Sequence, residues 1–444
     1  ELFSFDTGNS PRTKCKPALF YDFLKAHGLP VDDWEPPRFK PHRNDKGLPI
    51  YDTSPLNRAA NKFKSGKASY EKKYYDMAMK DLEKIIDFCL DGNDVSQMSM
   101  VEAINASDLL PSLNMQTSCG FPTFKGKSEF INWDYESQMF LPTLELQEAV
   151  EEALSAYDRG ERIGPIYTVR FKDEVNTPAK NEIGKVRAFN MAPLVYLIVQ
   201  RMIRGKSVGE YKSKRGHQMS AHVYGINHNA DWTKITSDLV NFSKNILCGD
   251  FKGFDFTQSG SFIFDVSELW RECMEKTGSV TPEHSQRLRM YSHDASKPRV
   301  ALRGDVVELE NNNMSGHAET TVENDLACVF NHIYAYYKLG GTDFFLHVLA
   351  YCYGDDCVAA SKVTWFNQNS MAQVMKSVGI TYTSADKSKV FPDFVDISEA
   401  EFLGRGFKYE HGVYNSRLRS KSILRSLSWR SPATALDSYM HGLC

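Results

Sequence analysis

Phe344-Phe345-Leu346-His347-Val348-Leu349-Ala350-Tyr351-Cys352-Tyr353-Gly354-Asp355-Asp356-Cys357-Val358-Ala359-Ala360 is an apolar run interrupted at Gly354-Asp355-Asp356. It reads as two buried strands joined by a tight hairpin tip that holds two carboxylates. Adjacent acids on such a turn repel each other and lose hydration, so a cation is expected among them, a divalent metal ion first. An Asp pair at a hairpin is by itself ordinary turn chemistry. Other parts of the chain decide between the two.

Cys248-Gly249-Asp250-Phe251-Lys252-Gly253-Phe254-Asp255 supplies a second carboxylate source. Lys244 to Phe251 reads as a short strand presenting Asp250, and a turn returns Asp255 nearby. Phosphoryl transfer through two metals about 4 Å apart needs carboxylates from separate strand ends to bridge the ions. Asp250 and Asp355 would form that bridge, with Asp356 as a secondary ligand and Phe251 offering a backbone carbonyl. A third element is Asn313-Met314-Ser315-Gly316-His317 running into a helix, where Thr320 and Asn324 share one face. Its bland reading is a capped helix start, with His317 structural or solvent-facing. A fourth is Lys172, Lys180, Lys185 and Arg187 on a looped hairpin, a set of cations suited to a triphosphate.

Around these motifs the 444 residues have ordinary globular composition, with 42% hydrophobic and 25% charged residues. No apolar stretch is long enough to span a bilayer and no N-terminal hydrophobic signal region appears, so a soluble intracellular chain is expected. Nine cysteines without CxxC pairs argue for reduced thiols and against a zinc site. The net charge of −3 leaves any polyanion to local patches. Arg201, Arg204, Lys206, Lys212, Lys214 and Arg215 form one basic run, and Arg417, Arg419, Lys421, Arg425 and Arg430 another, which together favour a channel for a charged strand. Residues 1 to about 70 read as an extended arm. Apolar spacing predicts helices from Tyr74 to Leu90, Leu144 to Tyr157, Val322 to Tyr337 and about Val363 to Val378. Residues 164 to 192 suggest strands around a loop, and Phe402 to Tyr414 a second hairpin. The start at Glu1 fits release from a precursor or a trimmed chain.

Taken in order, Thr117-Ser118-Cys119-Gly120-Phe121-Pro122, Lys172 to Arg187, Asp250 to Asp255, Ser315 to Asn324, Tyr353 to Asp356, Ala385-Asp386-Lys387-Ser388 and Phe402 to Phe407 resemble the seven motifs of RNA-dependent RNA polymerases from picorna-like positive-strand RNA viruses. The resemblance implies an α+β right hand of fingers, palm and thumb, the palm an antiparallel sheet backed by helices. Fingers would cover residues 1–240 with the arm closing on the thumb, palm 241–407 with a fingers insertion around 265–305, and thumb 408–444. It implies two Mg2+ ions, replaceable by Mn2+, on Asp250, Asp355 and Asp356, and Lys387 as proton donor to pyrophosphate. Lys172, Lys185 and Arg187 would hold the triphosphate, while Asp255, Ser315, Thr320 and Asn324 read the ribose 2′-hydroxyl. Thr117, Ser118, Gly316 and Arg405 would meet RNA. Implied partners are RNA template and product, ribonucleoside triphosphates, a protein primer and other viral replication proteins, in the host cytoplasm at membrane-associated complexes.

The chain departs from picornavirus members at His317-Ala318-Glu319 and at Gly404-Arg405, and residues 408–444 are few for a helical thumb, which is expected to be reduced or cut short. A reverse transcriptase would place a bulky aromatic where Asp255 stands. An inert RNA-binding replication protein would not need Asp250, Asp355, Asp356 and Lys387 together. A P-loop in Gly120 to Ser128 has the wrong spacing and an intruding Pro122.

Overall fold

Residues 13–64, 66–108, 110–302, 304–384 and 391–430 are described by the structure, a computed structural model of the chain. The N-terminal segment lacks periodicity and is laid over other elements, starting with β1 (Lys16–Pro17) and the short helix Tyr21–Ala26. It is not extended throughout. Ser54 Oγ accepts from Asn57 N and Pro55 fills the first turn of a helix, Pro55–Lys62, that the expectation of an extended arm overlooked.

The helix Lys72–Leu90 buries Ala78, Leu82, Ile85, Ile86 and Cys89 along one stripe, as its spacing predicts. A hairpin of β2 (Ile131–Asp134) and β3 (Met139–Pro142) precedes the helix Leu144–Asp158, which Thr143 caps. Next, β4 (Ile166–Phe171) and β5 (Ala188–Met191) pair antiparallel around the cationic loop. The helix Leu194–Ser213 follows, then β6 (Ile246–Phe251) and the helices Gly260–Lys276 and Pro282–Ser296. After them β7 (Arg299–Leu302) lies parallel to β4 and pairs with β8 (Asp305–Glu308), so this later stretch rejoins a sheet begun much earlier.

The helix Thr320–Lys338 leads into β9 (Val348–Tyr353) and β10 (Asp356–Ser361), then the helix Gln368–Ser377 and β11 (Tyr382–Ser384). Two expected boundaries shift. Phe344–His347 is a helical turn capped by Asp343, since a short apolar run does not distinguish a buried helical turn from a strand. The expected Val363 helix starts at Gln368, where Asn367 and Ser370 form a capping box. A three-stranded sheet of β12 (Glu401–Phe402), β13 (Arg405–Glu410) and β14 (Val413–Leu418), the helix Ser420–Ser428 and β15 (Trp429–Arg430) complete the described chain.

The central sheet has the order β11-β6-β10-β9 and is antiparallel throughout. Its strands alternate between two cores. Leu247, Ala350, Cys352, Cys357 and Ala359 face the Thr320 and Gln368 helices, while Ile246, Cys248, Leu349, Tyr351, Val358 and Ala360 face Trp232, Ile235, Leu239, Phe402 and Phe407. Burial on both faces explains why the run that ends in Asp355-Asp356 is continuously apolar. It also leaves strand ends, not strand faces, as the places where charge can sit.

Candidate active site

Asp250 on β6 stands directly across from Asp356 on β10, and Asp355 lies in the Gly354-Asp355 turn between β9 and β10. Opposed residues of such a pair have Cα atoms roughly 4.5–5.5 Å apart. Gly354 takes φ 63°, which glycine adopts without strain, and its N–H donates to the buried Asp325 carboxylate on the Thr320 helix. Asp325 is a positioning residue the sequence reading missed. Its only signal is an acid amid the buried face of a helix.

Crowding of acids shows in their protonation. Burial, then Asp255 and Asp250, push the Asp355 carboxyl up to about 6, with Arg187 opposing. Burial, then Asp355 and Asp250, push Asp356 up to about 7, with Arg419 opposing. Asp355 is nonetheless open to solvent, so the desolvation comes from the walls of a cleft around an accessible group. An all-oxygen donor set whose members repel one another fits a hard divalent cation.

Gly253, at φ 63°, opens the single helical turn Phe254–Thr257 that returns Asp255 to this cleft. Asn324 Nδ2 donates to Asp255 Oδ1 at 2.7 Å, while Asn324 Oδ1 accepts from Gln258 Nε2 at 2.7 Å and Asn313 Nδ2 at 3.0 Å. The amide is thereby held in one orientation. Burial raises the Asp255 carboxyl, while the Asn324 bond and the charges of Lys62 and Lys172 oppose it. Thr320 is directed elsewhere: its hydroxyl donates to Met314 O at 2.7 Å and braces the preceding loop. Ser315 is exposed, with Oγ accepting from Asn190 N at 3.0 Å. Gly316 packs so closely on β5 that a Cβ would lie 1.6 Å from Asn190 O. His317 is buried, bonded to the Tyr291 hydroxyl at 2.9 Å, and is structural.

The cationic loop leaves β4 at Lys172, whose N–H donates to Arg187 O at 2.9 Å, and contains the helix Pro178–Glu182 with Lys180. Lys185 N donates to Lys180 O at 2.8 Å, and Arg187 pairs with Glu174 at 3.3 Å. The arm grips this loop. Arg58 Nε donates to Ile183 O at 2.9 Å, and Gly184, at φ +64°, packs so tightly that a Cβ would lie 2.0 Å from Thr53 O. This fold-back brings in Lys62, which the sequence reading did not single out. Burial lowers its pKa first, then repulsion from Lys185, Arg187 and Arg58, with Asp255 opposing.

Other sequence candidates lie outside this cluster. Thr117 and Ser118 sit on a loop where Thr117 donates to Asn114 O at 2.8 Å and Ser118 Oγ to Phe124 O at 2.9 Å. No P-loop forms there: Gly120 to Ser128 continues into a 3-10 turn and β2, and Lys127 is buried against Thr117. Arg405 donates to Ser416 Oγ at 3.2 Å across β13 and β14. Lys387, with Ala385, Asp386 and Ser388, lies outside the described residues. Three cations of the basic run from Arg201 are held within the protein instead of facing a channel. Arg204 is only 2% exposed and lies 2.8 Å from Glu319, Arg201 donates to backbone carbonyls, and Lys206 pairs with Asp94. Of the second run, Arg419 reaches close enough to oppose protonation of Asp356, and it pairs with Glu401.

Comparison with known proteins gives one consistent answer. The family described as viral RNA-dependent RNA polymerase matches residues 52–441. The genome polyprotein of Salivirus A (isolate Human/Nigeria/NG-J1/2007) is 28% identical over 311 residues, covering 70% of this chain and 12% of the polyprotein. That of avian encephalomyelitis virus (strain L2Z) is 24% identical over 348 residues, covering 76% and 16%. The chain thus spans a small part of these relatives. In fold it is similar to the Sicinivirus 3Dpol RNA dependent RNA polymerase, with a TM-score of 0.77, 21% identity, and 97% of this chain and 88% of that chain covered. Since the family match takes in both acid-bearing strand ends and the cationic loop, the chain belongs to the viral RNA-dependent RNA polymerases.

Proposed function

We propose that the chain extends an RNA strand on an RNA template. The 3′-hydroxyl of the growing strand attacks the α-phosphate of a ribonucleoside triphosphate, and pyrophosphate leaves. The observation that carries this reading is the pairing of Asp250 with Asp356, with Asp355 in the adjoining turn, across a cleft from Asn324-bound Asp255. Asp250, Asp355 and Asp356, with the Phe251 carbonyl, would hold two Mg2+ ions or Mn2+ in their place. Bound there, such ions lower the pKa of the attacking hydroxyl and neutralise charge on the transferring phosphate. Lys62, Lys172, Lys185 and Arg187 bind and orient the triphosphate, with Lys180 on the same loop. Asp255 and Asn324 meet the ribose hydroxyl, and the Ser315-Gly316 loop, braced by Thr320, borders them. Lys387 is assigned the proton given to pyrophosphate. Thr117, Ser118 and Arg405 are assigned RNA contacts.

On this reading residues 1–240 act as fingers, 241–407 as palm with an insertion around 265–305, and the remainder as thumb. Among the described residues no helix is long and apolar enough to cross a membrane, so recruitment to membrane-associated complexes would fall to partners, a protein primer and other replication proteins among them. Primer extension on an RNA template with Mg2+ tests the assignment. Asp355→Asn is expected to lower the single-turnover rate by about 100-fold or more, as loss of a principal electrostatic stabiliser does. Near wild-type extension by the folded variant would refute it.

A further inference from the structure

Behind the acid-bearing turn lies a second cluster that the reaction does not use. Cys328 and His332 are four residues apart on the Thr320–Lys338 helix and so share a face. Opposite them, Cys352 and Cys357 are register partners on β9 and β10, one on each side of the turn that holds Asp355. All four are buried, at 0%, 1%, 0% and 3% exposure for Cys328, His332, Cys352 and Cys357. The ligand atoms of Cys328, His332 and Cys357 lie within 4.8 Å of one another, and the sulfurs of Cys352 and Cys357 are 3.5 Å apart. Cys328 is a hydrogen-bonding neighbour of both other thiols.

The imidazole gives an independent indication. His332 Nδ1 lies 2.8 Å from Cys328 O, and since a carbonyl only accepts, that nitrogen carries the proton. Nε2 is buried with the Cys357 thiol as its neighbour, and the Tyr382 hydroxyl, whose ring packs 6.2 Å from that of His332, is buried without a hydrogen-bond partner. A backbone bond on one ring nitrogen and a lone pair turned to a thiol on the other is how proteins orient a metal-ligating histidine.

We infer that Cys328, His332 Nε2, Cys352 and Cys357 form a buried structural zinc site that ties the catalytic hairpin to the Thr320 helix. Tetrahedral Zn2+ with Zn–S of about 2.3 Å and Zn–N of about 2.0 Å sets sulfurs about 3.8 Å apart and sulfur about 3.5 Å from nitrogen. The 3.5 Å sulfur pair is near that spacing, and Cys328 and His332, whose ligand atoms lie within 4.8 Å of Cys357, would be drawn in by side-chain rotation on binding. On binding, the three thiols release their protons to solvent and the imidazole remains neutral. This inference opposes the sequence expectation of no zinc: the ligands come as Cys-x3-His on a helix and a cross-strand pair, a spacing that a search for CxxC passes over.

The test is metal analysis of the full chain, expressed with zinc and purified without chelator. About one zinc per chain is expected. Cys328→Ser and Cys357→Ser should each reduce it to background, whereas His332→Cys keeps four ligands and retains the ion. Should the serine variants not fold, wild-type chain produced in cobalt-supplemented zinc-free medium decides. It should show thiolate-to-cobalt charge-transfer absorption that zinc abolishes. Folded wild-type protein with background zinc and no cobalt band overturns the proposal, as does a Cys352–Cys357 disulfide found by mass spectrometry.

Discussion

Asn324 offers one amide to three neighbours: it donates to Asp255 and accepts from Gln258 and Asn313. The second hydrogen of its Nδ2 and the remaining lone pairs of Asp255 are what a ribose 2′-hydroxyl can meet. Removing the amide leaves buried donors unpaired, a loss of about 1–3 kcal/mol for each such group. Asn324→Ala is therefore expected to reduce the preference for ribonucleotides over deoxynucleotides by about 10–100-fold, read as the ratio of kcat/KM values. Unchanged discrimination would remove Asn324 from that role. Lys62 makes a separate prediction. It joins Lys185, Arg187 and Arg58 on one side and Asp255 on the other, so Lys62→Ala should raise the KM for triphosphate by roughly 5–30-fold. The single-turnover rate at saturation should change far less, and Lys62→Arg should restore binding. An unaltered KM would show that Lys62 does not touch the nucleotide. The two residues differ in legibility. Asn324 lies four positions from Thr320 in a polar patch that sequence alone brings out, whereas Lys62 gains its place only because the arm folds back onto the loop. Ser54-Pro55 did announce the helix that carries it, but nothing local announces what that helix faces.

At the scale of elements, the strands were legible because alternation and turn chemistry are local. The run from Val348 to Ser361 divides between two cores residue by residue, and Gly354 sits where the turn needs it. What pairs with what was not legible. Neither the parallel β4–β7 pair, which joins stretches far apart in the chain, nor the burial of Arg204 within a basic run follows from periodicity. The free edge of β9 is another such case. Cys352 exchanges backbone hydrogen bonds with the segment 221–223, at 3.0 Å from Cys352 N to Ala221 O and 2.9 Å from Val223 N to Cys352 O. This contact covers an edge that would otherwise invite further pairing. His222 anchors it, fully buried and stacked 3.7 Å from the Tyr211 ring. Burial holds its pKa down to about 3, with a backbone bond opposing and Arg215 adding to the shift. The unfolded chain binds this proton near pH 6.5 and the folded chain only near 3, so the unfolded state holds more protons in between. Stability from this group is present above pH 6.5 and is lost as pH falls towards 3. The slope for one proton is about 1.4 kcal/mol per pH unit. His222→Gln should flatten the acid limb of a denaturant-midpoint profile by up to that slope. An identical limb in wild type and variant would assign the acid sensitivity elsewhere.

On the scale of the whole molecule, the N-terminal arm touches both the cationic loop and the C-terminal segment. Thr13 Oγ1 donates to Asp173 at 2.8 Å and Asn181 is enclosed by Glu35, Pro36 and Arg38, which fastens the arm to the cationic loop. Between these anchors the arm reaches the C-terminal segment, where Lys16 and Pro17 pair with Arg430 and Trp429, and Ala18 N donates to Ser428 O at 2.8 Å. Trp429 centres that junction, with its ring 5.3 Å from Tyr21 in an edge-on arrangement and Nε1 donating to Val31 O at 3.4 Å. If, on the proposed function, this junction closes over the cleft, release of a bound strand would require sliding off an end or opening the junction. Trp429→Ala removes the side chain that holds the junction while leaving Asp250, Asp355 and the loop cations untouched. Trp429 is partly exposed, so the loss should be about 1–3 kcal/mol, less than the roughly 3–5 for a large core aromatic. Much of it should appear as local opening, because the arm remains fastened to the loop at its other contacts. Three measurements then separate closure from chemistry. Limited proteolysis should cut the variant within the arm sooner than the wild type, addition of a single nucleotide should be largely retained, and the length of product made per binding event on a long RNA template should fall. If product length and proteolysis both match the wild type, the junction does not govern how long RNA stays in the cleft.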